Sequence, residues 1–331
     1  MNDTIQEDIM KIGLYTDGLP DLSFTEALDW IAAQGVEAVE IATGGFSNAP
    51  HCEPDQLLND ENARTAFNAA IESRGLTLSA LNCNANPLDP HPERGKAHQE
   101  IIFKSIELAS KLGLDTVVTM SGCPGDPSGS PYPNWVNHPW QPEFAELYNW
   151  QWNEVITPFW QKVGGFAADH GVKIAIEMHP GQAAYNTRTL LRLREIAGPS
   201  LGANLDPSHL FYQGMDPLLV IRTLGQNFIF HVHAKDTRLD PYEMALNGGI
   251  DMRLMHLVTE RAWGYRTLGF GHDELWWRGF VSALRAVGYD GVLSIEHEDT
   301  LMSAREGIVK SVEFLQPIVL TTMPEETPPW L

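Results

Sequence analysis

The chain has 331 residues, 43% of them hydrophobic and 20% charged, a composition that supports a globular fold with a large core. Its formal net charge of −21 argues against nucleic acid or an anionic membrane surface as partner, because both call for a basic face. Cys52, Cys83 and Cys123 show no CxxC spacing, the start MNDTIQED resembles neither a signal nor a transit peptide, and no apolar run approaches membrane-spanning length, so a reducing, cytoplasmic location is expected.

In chain order, KIGLYT (11–16) reads as a first buried strand, followed by a helix over 23–34 that Ser23 and Glu26 begin as a capping box and Gly35 ends. A second strand, EAVEIA (37–42), precedes a helix over 61–74, and a third, LTLSALNC (76–83), precedes a helix over 95–112. TVVTMS (116–121) is the fourth strand. A long Gly/Pro/Ser/Trp-rich insertion over 122–142 follows, then a helix over 143–170 in which Pro158 predicts a kink. KIAIEMH (173–179), LGANLD (201–206) and IFHVHAKD (229–236) are strands five to seven, with helices over 187–196 and 217–224 between them. A second insertion, 237–272, leads to a helix over 273–287, a last strand GVLSIEH (291–297) and a last helix over 303–315. Residues 317–331 form a Pro-rich tail expected on the surface.

Strand and helix alternate about eight times, which implies parallel strands under covering helices. With no GxGxxG turn after the first strand and no Walker A sequence, an open nucleotide-binding sheet loses support. The reading is one domain, a (β/α)8 TIM barrel over about residues 9–316.

Side chains at the C-terminal ends of barrel strands converge on one face. Glu177, Asp206, His233 and Glu296 end strands five to eight. Any one of them has an ordinary structural reading: an ion-pair partner, an Asx-turn, a core histidine. Together, three carboxylates and an imidazole make an oxygen-rich site suited to Mn²⁺, Mg²⁺ or Co²⁺ rather than to a structural zinc. Such an ion could chelate two neighbouring substrate oxygens and stabilise an enediolate, with one carboxylate removing a carbon-bound proton and another returning it. His231 lies one pleat below His233 and is expected to support the site from behind. His179 shares the face of Glu177 and points to the pocket, whereas His297 points away. Lys235 and Asp236 either orient substrate oxygens or pair with each other to hold the strand end. Trp135, His138 and Trp140 in the first insertion read as a subunit contact, which would make a homo-oligomer; Trp263 and Tyr265 in the second read as an aromatic lid.

The segments IEMHP, NLDPSHL, HVHAKD and SIEHED resemble the sugar phosphate isomerase/epimerase superfamily, the xylose-isomerase-like TIM barrels, in element order over essentially the whole chain. The resemblance implies a metal-dependent sugar isomerase or epimerase binding one divalent ion, Mn²⁺ foremost and Mg²⁺, Co²⁺ or Zn²⁺ otherwise. It implies Glu177, Asp206, His233 and Glu296 as ligands, Glu177 and Glu296 also moving the proton, and His209 touching the ion's outer shell or the substrate. Arg266 falls where ketose 3-epimerases place a substrate-binding arginine, although Leu268 replaces the proline of their following turn. A small sugar is then the expected partner. Dehydratases and lyases on keto-sugars, inososes or 3-keto-glycosides share the same proton abstraction, and the motifs do not separate them; a general acid, with His138, His179 or His272 available, would serve a lyase. The endonuclease IV members of the superfamily carry histidines on the early strands, which here end in LYT, IAT and NCN. A non-catalytic sugar-binding barrel would be expected to lack one of the four ligands.

Overall fold

A computed structural model describes residues 10–138 and 140–322. Eight parallel strands close into a barrel: β1 (Lys11–Tyr15), β2 (Ala38–Ala42), β3 (Thr77–Asn82), β4 (Thr116–Met120), β5 (Lys173–Glu177), β6 (Leu201–Leu205), β7 (Ile229–Ala234) and, after a two-stranded insertion, β10 (Val292–Ile295). The spatial order β1-β10-β7-β6-β5-β4-β3-β2 is simple succession around the barrel. This is a (β/α)8 TIM barrel. Each predicted strand is present, because each is a short apolar run bounded by turn residues and buried on both sides.

The helices between strands form where apolar residues recur at helical spacing. The first, Phe24–Ala33, buries Ala27, Leu28 and Ile31 and begins with the Ser23–Glu26 capping box. The long helix predicted over 143–170 is divided into Pro142–Trp150, a wider π turn at Gln151–Ile156, and Thr157–Asp169. Pro158 has no N–H for the carbonyl one turn before it, so the chain widens immediately ahead of the proline. A helix over Pro54–Asn59 escapes the sequence reading because only Leu57 of its residues is buried.

The barrel interior is layered. At its floor, Phe230 packs on Ala80, Val118 and Ala175. Gly202 leaves room for that ring, since a Cβ there would lie 2.5 Å from it. One extra residue on β7, where Ile229 pairs with Ala203 but His231 with the next residue Asn204, lets Phe230 and His231 both serve the interior. Above the floor sit Glu40, Asn82, Asn204, His231 and Ser294, all buried. The barrel therefore changes from apolar to polar toward the C-terminal mouth.

The second insertion is an antiparallel ribbon of β8 (Asp236–Leu239) and β9 (Trp263–Arg266). Asp236 pins it to the barrel. Its Oδ2 accepts N–H bonds from Gly269, Gly271 and His272 at 3.2, 3.0 and 2.8 Å, and Oδ1 lies 2.8 Å from His272 Nδ1. Asp236, expected to contact substrate or to pair with Lys235, instead points into this turn: adjacent residues at a strand end point opposite ways, and its carboxylate binds the turn's N–H groups and His272. The tail is not wholly superficial, for Ile318 is buried and Met10 N–H donates to Leu320 O at 3.3 Å. Trp330 and Leu331 lie outside the described residues. Among the described residues no helix is long and apolar enough to cross a membrane, and all three cysteines are buried and free.

Replacing Asp236 by Ala removes the buried acceptor that gathers these part-buried backbone donors. The expected cost is about 3 kcal/mol of stability, read as a lower denaturation midpoint in urea, with Asp236→Asn losing less. A change within about 0.5 kcal/mol would mean that the turn does not depend on this carboxylate.

Candidate metal centre

Four side chains meet at the mouth. One ligand atom from each of Glu177, Asp206, His233 and Glu296 lies within 4.8 Å of the other three. Glu177 ends β5, Asp206 follows β6, His233 lies one residue from the end of β7, and Glu296 follows β10. The strands deliver them because inward-pointing positions at successive staves are close neighbours. His233 Nδ1 is 3.1 Å from both Glu177 Oε2 and Glu296 Oε2. Asp206 Oδ2 and His233 Nδ1 are buried and lack a well-directed hydrogen bond, their charged neighbours standing at 3.1 Å. Buried polar atoms seldom lack one, so a donor set of three carboxylates and an imidazole with such atoms aimed inward fits a divalent cation.

The rest of the constellation orients these groups. His209 Nε2 lies 3.0 Å from Glu177 Oε1 and 3.1 Å from Asp206 Oδ2, while its Nδ1 is 2.9 Å from the Tyr265 hydroxyl. Asn84 and Asn204 donate to Glu177 Oε2 at 3.2 and 3.0 Å. Lys235 Nζ contacts Glu296 at 2.5 Å, Glu298 at 2.8 Å and Asp206 at 3.1 Å. Burial alone would raise the Glu177 carboxyl, but the neighbouring His209 and His233 rings hold it well below the usual range. Burial opposes charge on His209, yet the Asp206 and Glu177 carboxylates together overcome it and push that pKa up to about 9. His233 is raised for the same kind of reason, Glu40 and Glu296 overcoming its burial. For His179 burial prevails over the attraction of Glu177 and lowers the pKa to about 4.

Beneath the mouth lies a residue that the sequence reading passes over. Glu40 is fully buried in the middle of β2. It accepts from Asn82 Nδ2 at 2.7 Å and Ser294 Oγ at 2.7 Å, and lies 2.9 Å from His231 Nε2 and 3.0 Å from His233 Nε2. A carboxylate engaging Nε2 fixes the ring so that Nδ1 presents its lone pair to the mouth. The signal was an ionisable residue inside the apolar run AVEIA. His231 reaches Glu40 and not the four-residue cluster, as its deeper pleat implies.

A cavity of about 290 Å³ opens above the cluster, and Glu177, His179, His209, Lys235 and Glu296 line it with Tyr265 from the inserted ribbon. Tyr15, Asn84 and Glu298 also reach it, and sequence spacing alone marks none of them. Arg266, expected to bind substrate, does not line it. Its guanidinium donates to the Tyr265 carbonyl at 2.6 Å and faces Asp299 at 3.7 Å, because alternation along β9 sends Tyr265 inward and its neighbour away. Trp263 stacks on Tyr212 at 3.8 Å outside the cavity, so of the two expected lid aromatics only Tyr265 faces it. His138 stacks beside Trp140, and His272 is held by Asp236; neither reaches the cavity. His297 lies 3.3 Å from the Met302 carbonyl, away from the mouth as expected.

Fold and site together define a barrel with an acidic, metal-type centre at its C-terminal face. The chain belongs to the xylose isomerase-like TIM-barrel family, whose model matches residues 28–318. It is 43% identical over 310 residues to the uncharacterized protein YfiH of Bacillus subtilis (strain 168), spanning 93% of this chain and 98% of that one. An inosose dehydratase of Geobacillus thermodenitrificans (strain NG80-2) is 24% identical over 257 residues, 75% of this chain and 78% of that one. The solved IOLI protein with a zinc atom shares the fold at TM-score 0.63 and 17% identity, covering 93% of this chain and 98% of that one.

Two outcomes follow from this geometry. Glu40→Gln should weaken divalent-ion affinity by about 10- to 100-fold in calorimetric titration while leaving the far-UV spectrum unchanged; unaltered affinity would show that Glu40 does not set the ring. Without an ion, the raised pKa values of His209 and His233 keep both rings charged near neutrality. Ligation through His233 Nδ1 must then expel a proton, so affinity should rise about tenfold per pH unit below the folded pKa of that ring. Titration in two buffers of different ionisation heat reads the released proton directly, and a pH-independent affinity with no proton release would contradict it.

Proposed function

We propose that this protein is a divalent-metal-dependent isomerase or epimerase acting on a small ketose or related sugar. The observation that carries the reading is the convergence of Glu177, Asp206, His233 and Glu296 below a cavity of sugar-sized volume. Glu177, Asp206, His233 Nδ1 and Glu296 would hold the ion, with Mn²⁺ the first candidate and Mg²⁺, Co²⁺ or Zn²⁺ the alternatives. Bound there, a divalent cation supplies Lewis-acid stabilisation for negative charge that develops when a proton leaves the carbon beside a carbonyl.

The chain's own groups move that proton. Glu177, kept ionised by its hydrogen bonds, takes it from the substrate carbon; Glu296, beside Lys235, carries a proton to the other face. In the reverse reaction the two exchange roles. Lys235 and His209 hold the carboxylates in place, and Tyr265 closes the side of the cavity. His179, neutral near pH 7, adds a further polar contact.

A second reading, dehydration of a keto-sugar or inosose, draws on one specific feature. Tyr265, His209 and Glu177 form a continuous hydrogen-bonded chain that could protonate a departing hydroxyl. The inosose dehydratase relative favours it too.

Manganese-loaded protein incubated in D₂O with ketoses, inososes and 3-keto-glycosides decides between them by NMR. The isomerase reading predicts deuterium at one carbon and interconversion of epimers or isomers without loss of water; the dehydratase reading predicts an unsaturated or deoxy product. Glu296→Gln should slow either reaction by about 10²- to 10⁴-fold. If no compound exchanges a proton, proton abstraction beside a carbonyl is not what this site does.

A further inference from the structure

The cavity also carries information about the charge of its ligand. Among the described residues lining it, Lys235 is the sole lysine or arginine. Its ammonium donates to Glu296 and Glu298 at 2.5 and 2.8 Å and is ion-paired with Asp206 at 3.1 Å. Its remaining face lies over the Tyr265 ring, 4.7 Å from the centroid. Three carboxylates thus already offset its single positive charge.

Carboxylates outnumber cations around this space. Asp17 and Glu298 line the cavity above Glu177, Asp206 and Glu296. Against these five negative charges stand Lys235, His209 when protonated, and a divalent ion, at most four positive charges. The excess sits at the rim, where the Glu298 side chain is 48% exposed and Asp17 accepts from Ser47 Oγ at 2.6 Å. A negatively charged ligand would enter against this field, and low-dielectric walls strengthen the repulsion.

The chain also fills the place where backbone amides could have received an anion. The N–H groups of Gly269, Gly271 and His272 converge on one point in the manner of an anion nest, and that point is occupied by Asp236 Oδ2. The first N–H of the short helix after β6, that of Ser208, is likewise taken by Asp206 Oδ1 at 2.8 Å. Arg266, next to Tyr265 on the inserted ribbon, faces Asp299 and donates to the Tyr265 carbonyl. Among the described residues lining the cavity there is no guanidinium for fork-type recognition of phosphate or carboxylate.

We propose that the site selects an uncharged polyhydroxy carbonyl compound and rejects its phosphorylated and carboxylated counterparts. The proposal rests on the isomerase or epimerase reading for the position of the substrate, and it adds the substrate's charge class. Hydroxyls meet acceptors at Asp17, Glu298 and Asn84, while Tyr15 and Phe46 provide apolar surface for ring or chain carbons.

The matched probes are D-fructose, D-fructose 6-phosphate and D-fructuronate, presented to manganese-loaded protein dialysed free of excess metal. Two readouts are taken. One is solvent-deuterium exchange; the other, independent of turnover, is paramagnetic broadening of the protons next to the carbonyl, which reports approach to the bound ion. The expected result is preference for D-fructose over both anions by about a hundredfold or more in kcat/KM, equivalent to about 2.8 kcal/mol, with selective broadening of its resonances. The Asp17→Asn/Glu298→Gln double variant should shrink that preference by about tenfold or more.

Equal or better use of the 6-phosphate or the uronate would overturn the proposal, as would an unchanged preference in the double variant. If none of the three exchanges deuterium, the isomerase reading fails for ketoses while broadening still decides the charge question. Selective broadening of D-fructose then upholds the inference; broadening of the anions as strongly, or of none of the three, refutes it.

Discussion

The structure turns on a carboxylate that has no access to water. Glu40, at the centre of the barrel, must be compensated where it stands, since an isolated buried charge would cost several kcal/mol. Asn82, His231, His233 and Ser294 provide that compensation, drawn from β3, β7 and β10. The interaction therefore ties distant staves of the barrel together. It also dictates chemistry one layer up: because Glu40 engages Nε2 of His233, the free Nδ1 faces Glu177 and Glu296. The extra residue in β7 belongs to the same arrangement, since it lets Phe230 plug the floor without turning His231 away from Glu40.

The inserted ribbon extends this order to the rim. Asp236 anchors it by gathering three backbone N–H groups, and the strand alternation of β9 then carries Tyr265 to His209. Lys235, immediately before Asp236, turns the other way and lies among the carboxylates of the mouth. Two consecutive residues thus divide the work: one fastens the insertion, the other moderates the acidity of the site. A long loop in a barrel of this type becomes part of the cavity wall through such a pair of contacts.

The barrel was legible in the sequence because its signals are local. Strands such as KIAIE and LGANL are apolar and short, the capping box at Ser23 marks its helix, and the ends of strands five to eight display their acids and histidines in the chain order in which the barrel brings them together. What escaped depends on partners far away in sequence. Glu40 gains its role from His231 and His233, 191 and 193 residues on, and nothing near it in the chain announces them. Arg266 and Tyr265 illustrate the finer limit. Motif position suggested the arginine, but the register of a two-stranded ribbon, invisible in an insertion rich in turns, presents the tyrosine instead. Asp236 looked chemical because it follows HVHAK, yet the turn it secures lies more than thirty residues away.

The central claim is that one divalent ion sits among Glu177, Asp206, Glu296 and the Nδ1 atom of His233, with Glu40 and His231 behind it. Anomalous scattering from crystals loaded with manganese, measured above and below the metal edge, tests this most directly. The account predicts a single strong peak at about 2 Å from His233 Nδ1, bonded to the three carboxylates and not to His231. A peak held by Glu40 and His231, or no peak between the four side chains at saturating metal, would contradict it.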